Sequence, residues 1–339
     1  MAYVYGFFLI LAGEMDPGFQ ALCNEATMFK RNAFASTTKV TYKCQLNAYM
    51  RFCIYFGRVH LPADQTTLCA YIAFLARSLN PSSLPGYINI VRIIHVQAGF
   101  VNPFKDNWEL SMIRRGILRK LGRPPVQKLP ITQEILCSIF ECLDFSRLGE
   151  LSFWCACLIC FFGLLRKNTL LPYSVKDLSS SFLVRGDVVS LNETSFLLKI
   201  RKTKTIQFGQ RILSIPFVMC EDKRLCPVRF LLRHLVHSPL PKEMPLFSYI
   251  VKGCPKCWTH KTFVLYLKKL LENVGYPSKD YSGHSFRRGG CSLCFEAGLS
   301  ITDIELRGDW RSNSFERYIY VPASSVFKSA AALALFVSK

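Results

Sequence analysis

From residue 36 onward, apolar side chains recur every third or fourth position, the period of a helix with one buried face. Tyr42, Leu46, Tyr49, Met50, Cys53 and Phe56 make the first stripe, behind "STT" (36–38), whose hydroxyls suit an N-cap. Leu68, Tyr71, Ile72 and Leu75 make a second after Asp64, and Tyr87, Ile90 and Ile94 a third after "NPSSLPG". Trp108, Met112, Ile113 and Ile117 make a fourth. No strand-like alternation interrupts them, so residues 36–122 are expected to form a small helical bundle. "GRPPVQKLP" (122–130) breaks the period because its prolines stop helices, and 123–131 reads as a linker. Helical texture resumes at "ITQEILCSIFECL" with Thr132 as its cap, and "FWCACLICFFGLL" (153–165) is apolar on every face, as a buried helix is. Between about 180 and 217 β-formers dominate, punctuated by Gly and Asn, which predicts a small antiparallel sheet. Helical periodicity returns from about 224 and is expected to persist to the end. Residues 1–35 read as an extension without a clear period. The expected fold class is mainly α with a small antiparallel β-sheet: a helical domain over 36–122, an α+β domain over 132–325 and a C-terminal helix over 326–339.

Composition narrows the partner. Hydrophobic residues make up 50% of the chain and charged residues 19%, the balance of a folded protein, and its 339 residues suffice for two cores. Lys and Arg number 43 against 23 acids, a net charge of +20 that calls for a polyanion, nucleic acid before membrane. The fifteen cysteines are odd in number, and "CACLIC" (155–160) lies within an apolar run where cysteine acts as a small hydrophobe. Reduced thiols and an intracellular compartment are therefore expected. The opening "MAYVYGFFLILAG" is too short to span a bilayer and lacks the positive leader of a secretion signal, so no membrane segment is expected.

The candidate chemistry is scattered along the second half. "GHSFRRGG" (283–290) places His284 and Arg287 three apart, on one face of a helix, where imidazole and guanidinium make a pair of donors for a phosphate. HxxR alone is equally a solvated helix start. It stands in line, however, with Arg166 at the end of an apolar helix in "FFGLLRKNTLLP", Lys204 in the turn "RKTKTIQFGQR", and Trp310 and Tyr318 in "RGDWRSNSFERYIYVP". Tyrosine is an adequate covalent nucleophile, fixed guanidinium and imidazole donors hold the charge of a phosphorane, and a lysine protonates a leaving alkoxide. Such a set attacks a phosphodiester without metal.

On these residues the chain resembles the tyrosine recombinases, the phage-integrase family, and within it the eukaryotic transposon branch of the Crypton, DIRS and Ngaro kind. The resemblance covers about residues 36–325 and rests on "LPIT", "GLLRKNTLLP", "LVRGDV", "KTKTIQF" and, most specifically, "YSGHSFRRGG" followed by "GDWRSNSFERYI". It implies that Arg166 and Arg287 are the two catalytic arginines, that His284 helps hold the phosphate and move a proton, and that Lys204 is the hairpin general acid, with Lys202 as second choice. Tyr318 matches the nucleophile because it falls ten residues after Gly308. Tyr320 is then out of register and is expected to pack beside Pro322. Where the family often has His or Trp directly after the glycine this chain has Asp309; Trp310 comes one residue late and must shift to reach the phosphate. The acid often found after the first arginine is Thr169.

The resemblance implies a DNA strand-exchange enzyme of a mobile element, acting in the nucleus, with two domains clamping double-stranded DNA and four protomers on it, and with no cofactor, metal or small-molecule substrate. Its DNA contacts are expected from Arg114, Arg115, Arg119, Lys120 and Arg123 on the fourth helix, and from Lys202 and Arg288. The apolar tail would dock on a neighbouring subunit or on its own domain. Two rivals stand beside this reading, a non-catalytic DNA-binding relic and a type IB topoisomerase. "CPKC" (254–257) near His260 lacks the second ligand pair that zinc needs, and free thiols at a helix start are expected there. His60, His95, His234 and His237 are expected to be surface or packing residues.

Overall fold

The computed structural model describes residues 16–124, 126–174 and 182–320, together with 327, 330, 331, 334 and 335. The opening apolar stretch lies outside the described residues, as do Pro322 and, apart from those last five, the expected C-terminal helix. The chain divides into two compact units, Met1–Pro125 and Val126–Lys339.

The first unit is helical throughout. Helix α1 (Pro17–Asn32) occupies the stretch that shows no clear period; Asp16 caps it by accepting from the Phe19 amide, and Pro17 suits the first turn. None of its side chains is buried, so no core pattern marked it. α2 (Ser36–Tyr55), α3 (Gln65–Ala76), α4 (Leu84–Gln97) and α5 (Trp108–Leu121) follow the four apolar stripes. Asp64 caps α3 through the Thr67 amide, whereas α2 starts behind Ala35 with its "STT" already inside the first turn and no side-chain cap. Tyr49, Phe52, Leu68, Tyr71, Ile72, Leu75, Ile88 and Val91 form the core. Buried His95 is bonded at both ring nitrogens, its Nδ1 to the Val91 carbonyl and its Nε2 to the Ala63 amide.

The second unit is built around one helix. After α6 (Gln133–Glu141), capped by Thr132, α7 (Leu148–Phe162) has every side chain from Leu151 to Phe161 buried. A helix without a polar face belongs inside. Burial pushes the thiols of Cys155, Cys157 and Cys160 upward, which keeps them as inert hydrophobes. All fifteen cysteines of the chain are free thiols. The one-turn α8 (Lys167–Leu170) leads to an antiparallel sheet in the order β1 (Val188–Asn192), β2 (Ser195–Ile200), β3 (Leu213–Val218). Phe196, Leu198 and Ile200 face the core with Leu213, Ile215 and Phe217, and the cross-strand rings of Phe196 and Phe217 stack at 4.8 Å.

Beyond α9 (Pro227–His237) the chain departs from the all-helical expectation. β4 (Ser248–Val251) and β5 (Cys254–Cys257) form a hairpin whose two loop residues, Lys252 and Gly253, both take positive φ (50° and 74°). "CPKC" is thus a strand, not a helix start, and residues three apart on a strand face opposite sides. α10 (His260–Asn273), α11 (Ser285–Glu296), α12 (Ile301–Gly308) and a short 3₁₀ turn (Asn313–Tyr318) complete the unit. Among the described residues no helix is long and apolar enough to cross a membrane.

Candidate active site

The two glycines of "GHSFRRGG" explain how α11 is seated. A Cβ on Gly289 would lie 1.6 Å from the Ile131 carbonyl oxygen, and one on Gly290 2.1 Å from that of Phe161. Only glycine lets α11 press its backbone against α7 and against the strand-like entry to α6. That contact buries Arg287, which is 2% exposed. Its guanidinium donates to the carbonyls of Leu164 and Gly308, the second bond measuring 2.5 Å. Leu164 presents its carbonyl because the chain leaves α7 through a left-handed turn there (φ 50°). Two residues on, the same turn places Arg166 at the start of α8.

Gly308 serves the opposite side of Arg287. A Cβ there would meet the Trp310 ring at 1.8 Å, so the absence of a side chain lets that indole fold back under α12. The Trp310 ring then lies 3.7 Å from Arg287 Cζ, a cation–π stack, and the Tyr318 ring lies 5.1 Å from the same atom. Indole and phenol rings are 5.3 Å apart. Trp310, Phe315, Ile304, Cys291 and Leu164 form a small apolar cluster of their own, with Tyr318 packed at its edge. Trp310 is only 8% exposed, so its place is beneath Arg287 and not on an open phosphate face.

The cations here oppose one another. Burial, and then the facing charge of Arg166, push the Arg287 pKa down. His284 caps α11 with its ring reaching solvent; partial burial and the charges of Lys167, Arg166, Arg287 and Lys204 push its pKa below the ordinary histidine value, so it is neutral at physiological pH. Among the described residues none of these four cations, nor His284, forms an ion pair. The buried Arg287 Nε and Trp310 Nε1 also lack a hydrogen-bond partner there. Orphaned donors and mutually repelling cations together make a site for an anion.

Lys204 is exposed in the long connection between β2 and β3, near enough for its charge to act on His284. Asp309 ends α12 in the left-handed conformation (φ 55°) and is 4% exposed. Its Oδ2 accepts from the hydroxyls of both Thr203 (2.5 Å) and Thr205, and its Oδ1 pairs with Arg211. Arg311 adds a bond to the Thr205 carbonyl at 2.9 Å. Sequence reading missed this cluster, although the hydroxyls flanking Lys204 were in view. It missed Lys167 as well.

Other expected contacts fall out differently. Arg288 is 9% exposed and donates to the Lys128 carbonyl, so it is turned inward and is no surface donor for DNA. The burial that seats Arg287 takes its neighbour along. Thr169 is buried beside a small cleft that it shares with Asp187 and Lys202; the acid there, Asp187, pairs with Arg201 at 2.6 Å, not with Arg166. Lys202 itself is exposed. In the first unit Arg114, Arg115, Arg119, Lys120 and Arg123 are all exposed, and among the described residues none of them makes an ion pair. Tyr320 is 40% exposed and its amide donates to Ser292.

No protein-family profile matches the chain. In sequence it is 24% identical over 306 residues to an integrase/recombinase xerD homolog of Selenomonas ruminantium, an alignment spanning 88% of this chain and 84% of that protein. In fold it is similar to the XerH site-specific recombinase bound to its palindromic difH substrate (TM-score 0.55, 14% identity, 92% of this chain and 83% of that one). It is also similar to a lambda integrase in a tetramer bound to a Holliday junction (TM-score 0.56, 11% identity, 89% and 77%). A third similar fold is the Tn1549 transposon integrase with circular-intermediate DNA (TM-score 0.54, 12% identity, 90% and 97%). The chain is thus similar in sequence, over most of its length, to an integrase/recombinase homolog, and similar in fold to solved site-specific recombinases and integrases.

Proposed function

We propose, for a chain whose relatives in sequence and fold are tyrosine recombinases and integrases, that it cuts and rejoins double-stranded DNA through a phosphotyrosyl intermediate. The observation that carries the reading is Arg287 beside the Tyr318 ring, with Arg166, Lys167, Lys204 and His284 near enough to act on one another's charge and none of the five in an ion pair among the described residues. A scissile phosphate would relieve the repulsion among these cations. Tyr318 Oη would bond to phosphorus as the P–O5′ bond breaks, leaving a 3′-phosphotyrosyl link. Lys204 would deliver a proton to the departing 5′-oxygen. Neutral His284 suits the proton leaving the tyrosine, and the arginines hold the phosphorane charge. Attack by a partner strand's 5′-hydroxyl reverses the sequence. One diester replaces another, so the cycle needs no nucleotide hydrolysis.

The finer parts of this proposal are assembly of four protomers on DNA, origin in a eukaryotic mobile element of the Crypton-like branch, and action in the nucleus. The similar fold of a lambda integrase tetramer on a Holliday junction supports the first, that of the Tn1549 transposon integrase supports a mobile-element origin, the eukaryotic branch rests on the sequence motifs alone, and fifteen free thiols suit a reducing compartment.

Covalent trapping tests the reading. The protein is mixed with a random library of nicked duplexes whose short 5′ fragments diffuse away, then denatured, and the attached DNA is sequenced. Retention by wild type and none by Tyr318→Phe is the expected result. No retention by a folded protein that still binds DNA would leave the non-catalytic reading. Plasmid relaxation without strand exchange would point to the topoisomerase.

A further inference from the structure

Asp309 stands where the resemblance implies a His or Trp, and its carboxylate is spent on the far side of the site. It accepts from the hydroxyls of Thr203 and Thr205 and pairs with Arg211. All three belong to the β2–β3 connection, and the two threonines flank Lys204 on either side. We infer that Asp309 is a positioning residue that clamps this connection and so holds Lys204 over the phosphate site. The inference rests on the strand-cleavage reading above for its catalytic consequence.

The geometry favours a clamp over incidental contact. The connection spans residues 201–212 between paired strands and is exposed along most of its length, so chain entropy works against any one position for Lys204. Its only buried residue is Ile206. Its order comes from hydrogen bonds: the Thr203 amide donates to the Ile206 carbonyl, Thr203 Oγ1 accepts from the Thr205 and Ile206 amides, and Gln210 reaches the Thr205 carbonyl at 2.8 Å. Asp309 and Arg311 tie that knot to the end of α12. Its partner at the other end is equally placed. Asp309 lies between Gly308, whose carbonyl holds Arg287, and Trp310, which stacks on Arg287. One short turn therefore sets the spacing between the anion-binding arginine and the proton-donating lysine. A group acting through Lys204 affects leaving-group protonation and little else, and that split makes it testable.

Two measurements decide it. The first compares nicked substrates in which the scissile bond is P–O5′ or P–S5′. A 5′-thiolate leaves without a proton because a thiol has a pKa near 8.5, so its release does not depend on Lys204 (roughly, from the reference thiol value). Asp309→Asn keeps an acceptor and tolerates the left-handed turn; the double variant Thr205→Val/Arg211→Gln loosens the other end of the clamp without touching α12. In both, oxygen-substrate cleavage should fall by about 10- to 100-fold, the loss expected from misplacing a catalytic group by about an ångström. Sulfur-substrate cleavage should stay within about threefold, and adding Lys204→Ala should cost little more on the oxygen substrate, since residues acting as a unit are not additive.

The second measurement needs no activity. Hydrogen exchange of the amides at 203–211 should quicken in both variants, by about tenfold or more where local opening sets the rate. Parallel loss on both substrates, or unchanged exchange in the connection, overturns the clamp while leaving strand cleavage intact. A wild type inert toward both substrates, with exchange still quickened in the variants, removes the cleavage reading and leaves the clamp standing.

Discussion

Replacing Gly290 by alanine sets two rules against each other. By helix propensity alone the change in mid-α11 should stabilise by about 1 kcal/mol. The structure predicts the reverse, because the new methyl would lie 2.1 Å from the Phe161 carbonyl oxygen and 2.7 Å from the Leu164 side chain. Restoring ordinary contact means moving α11 away from α7 by about 1 Å. Backbone does not yield as a flexible side chain does, so the cost belongs at the upper end of overpacking, about 3 kcal/mol, and the net loss is about 2 kcal/mol. In a unit of this size that lowers Tm by about 4–8 °C. Gly116→Ala in α5 is the control: nothing lies within 4 Å of its added Cβ, and it should gain up to about 1 kcal/mol. Urea melts followed by tryptophan fluorescence read the second unit, since Trp154, Trp258 and Trp310 lie there and only Trp108 lies in the first. Exchange of the α5 amides reads the control. If Gly290→Ala were as stable as wild type, the backbone approach of α11 to α7 would be refuted, and with it the account of how Arg287 is seated. The same displacement moves Arg287 relative to Leu164 and Gly308, so covalent trapping should fall by about 100-fold.

Two further outcomes are expected. His234 is fully buried, its Nε2 3.0 Å from the Leu246 carbonyl, and burial pushes its pKa down to about 4 from 6.5. A base depressed in the fold contributes stability that is present above pH 6.5 and lost as pH falls toward 4; the full loss is about 3 kcal/mol, of which about 2 kcal/mol is gone by pH 5. Urea midpoints at pH 7 and 5 should show it, and His234→Gln should flatten the difference. On α5, replacing Arg114, Arg115 and Arg119 with glutamine should flatten the log–log salt dependence of DNA binding by about 0.9 for each residue that contacts a phosphate. Tm should not move, because the side chains are exposed and unpaired among the described residues. An unchanged salt slope would take DNA off this helix face.

What could be read from the sequence was whatever depends on local period and on motif order. The stripes of α2 to α5 each declare a buried face, Asp64 and Thr132 declare helix starts, and the all-apolar run around "CACLIC" declares a helix with no solvent side. Short elements without a core face escaped. α1 buries nothing, and the β4–β5 hairpin is two four-residue strands whose turn signal, Lys252-Gly253, is weak. The order Arg166, Lys204, His284, Arg287, Tyr318 named residues for the proposed phosphate site, because a chemistry needs particular donors and a nucleophile whatever the distance between them along the chain.

Which way each side chain faces was settled only by packing. Arg287 and Arg288 are neighbours in a basic motif, yet one lies beside Trp310 and Tyr318 and the other bonds the Lys128 carbonyl, since successive helix positions are about 100° apart and α11 is buried on more than one side. Trp310 and Asp309 carry the same lesson. Trp310 lies under Arg287 because Gly308 leaves room for its ring. Asp309 departs from the resemblance, and nothing local says why. Its partners Thr203, Thr205 and Arg211 lie about a hundred residues away, and only the folded chain brings a hairpin connection to the end of α12. Hydrogen bonds of that sequence separation leave no periodic trace, so the motif could be found in the sequence and the clamp only in the structure.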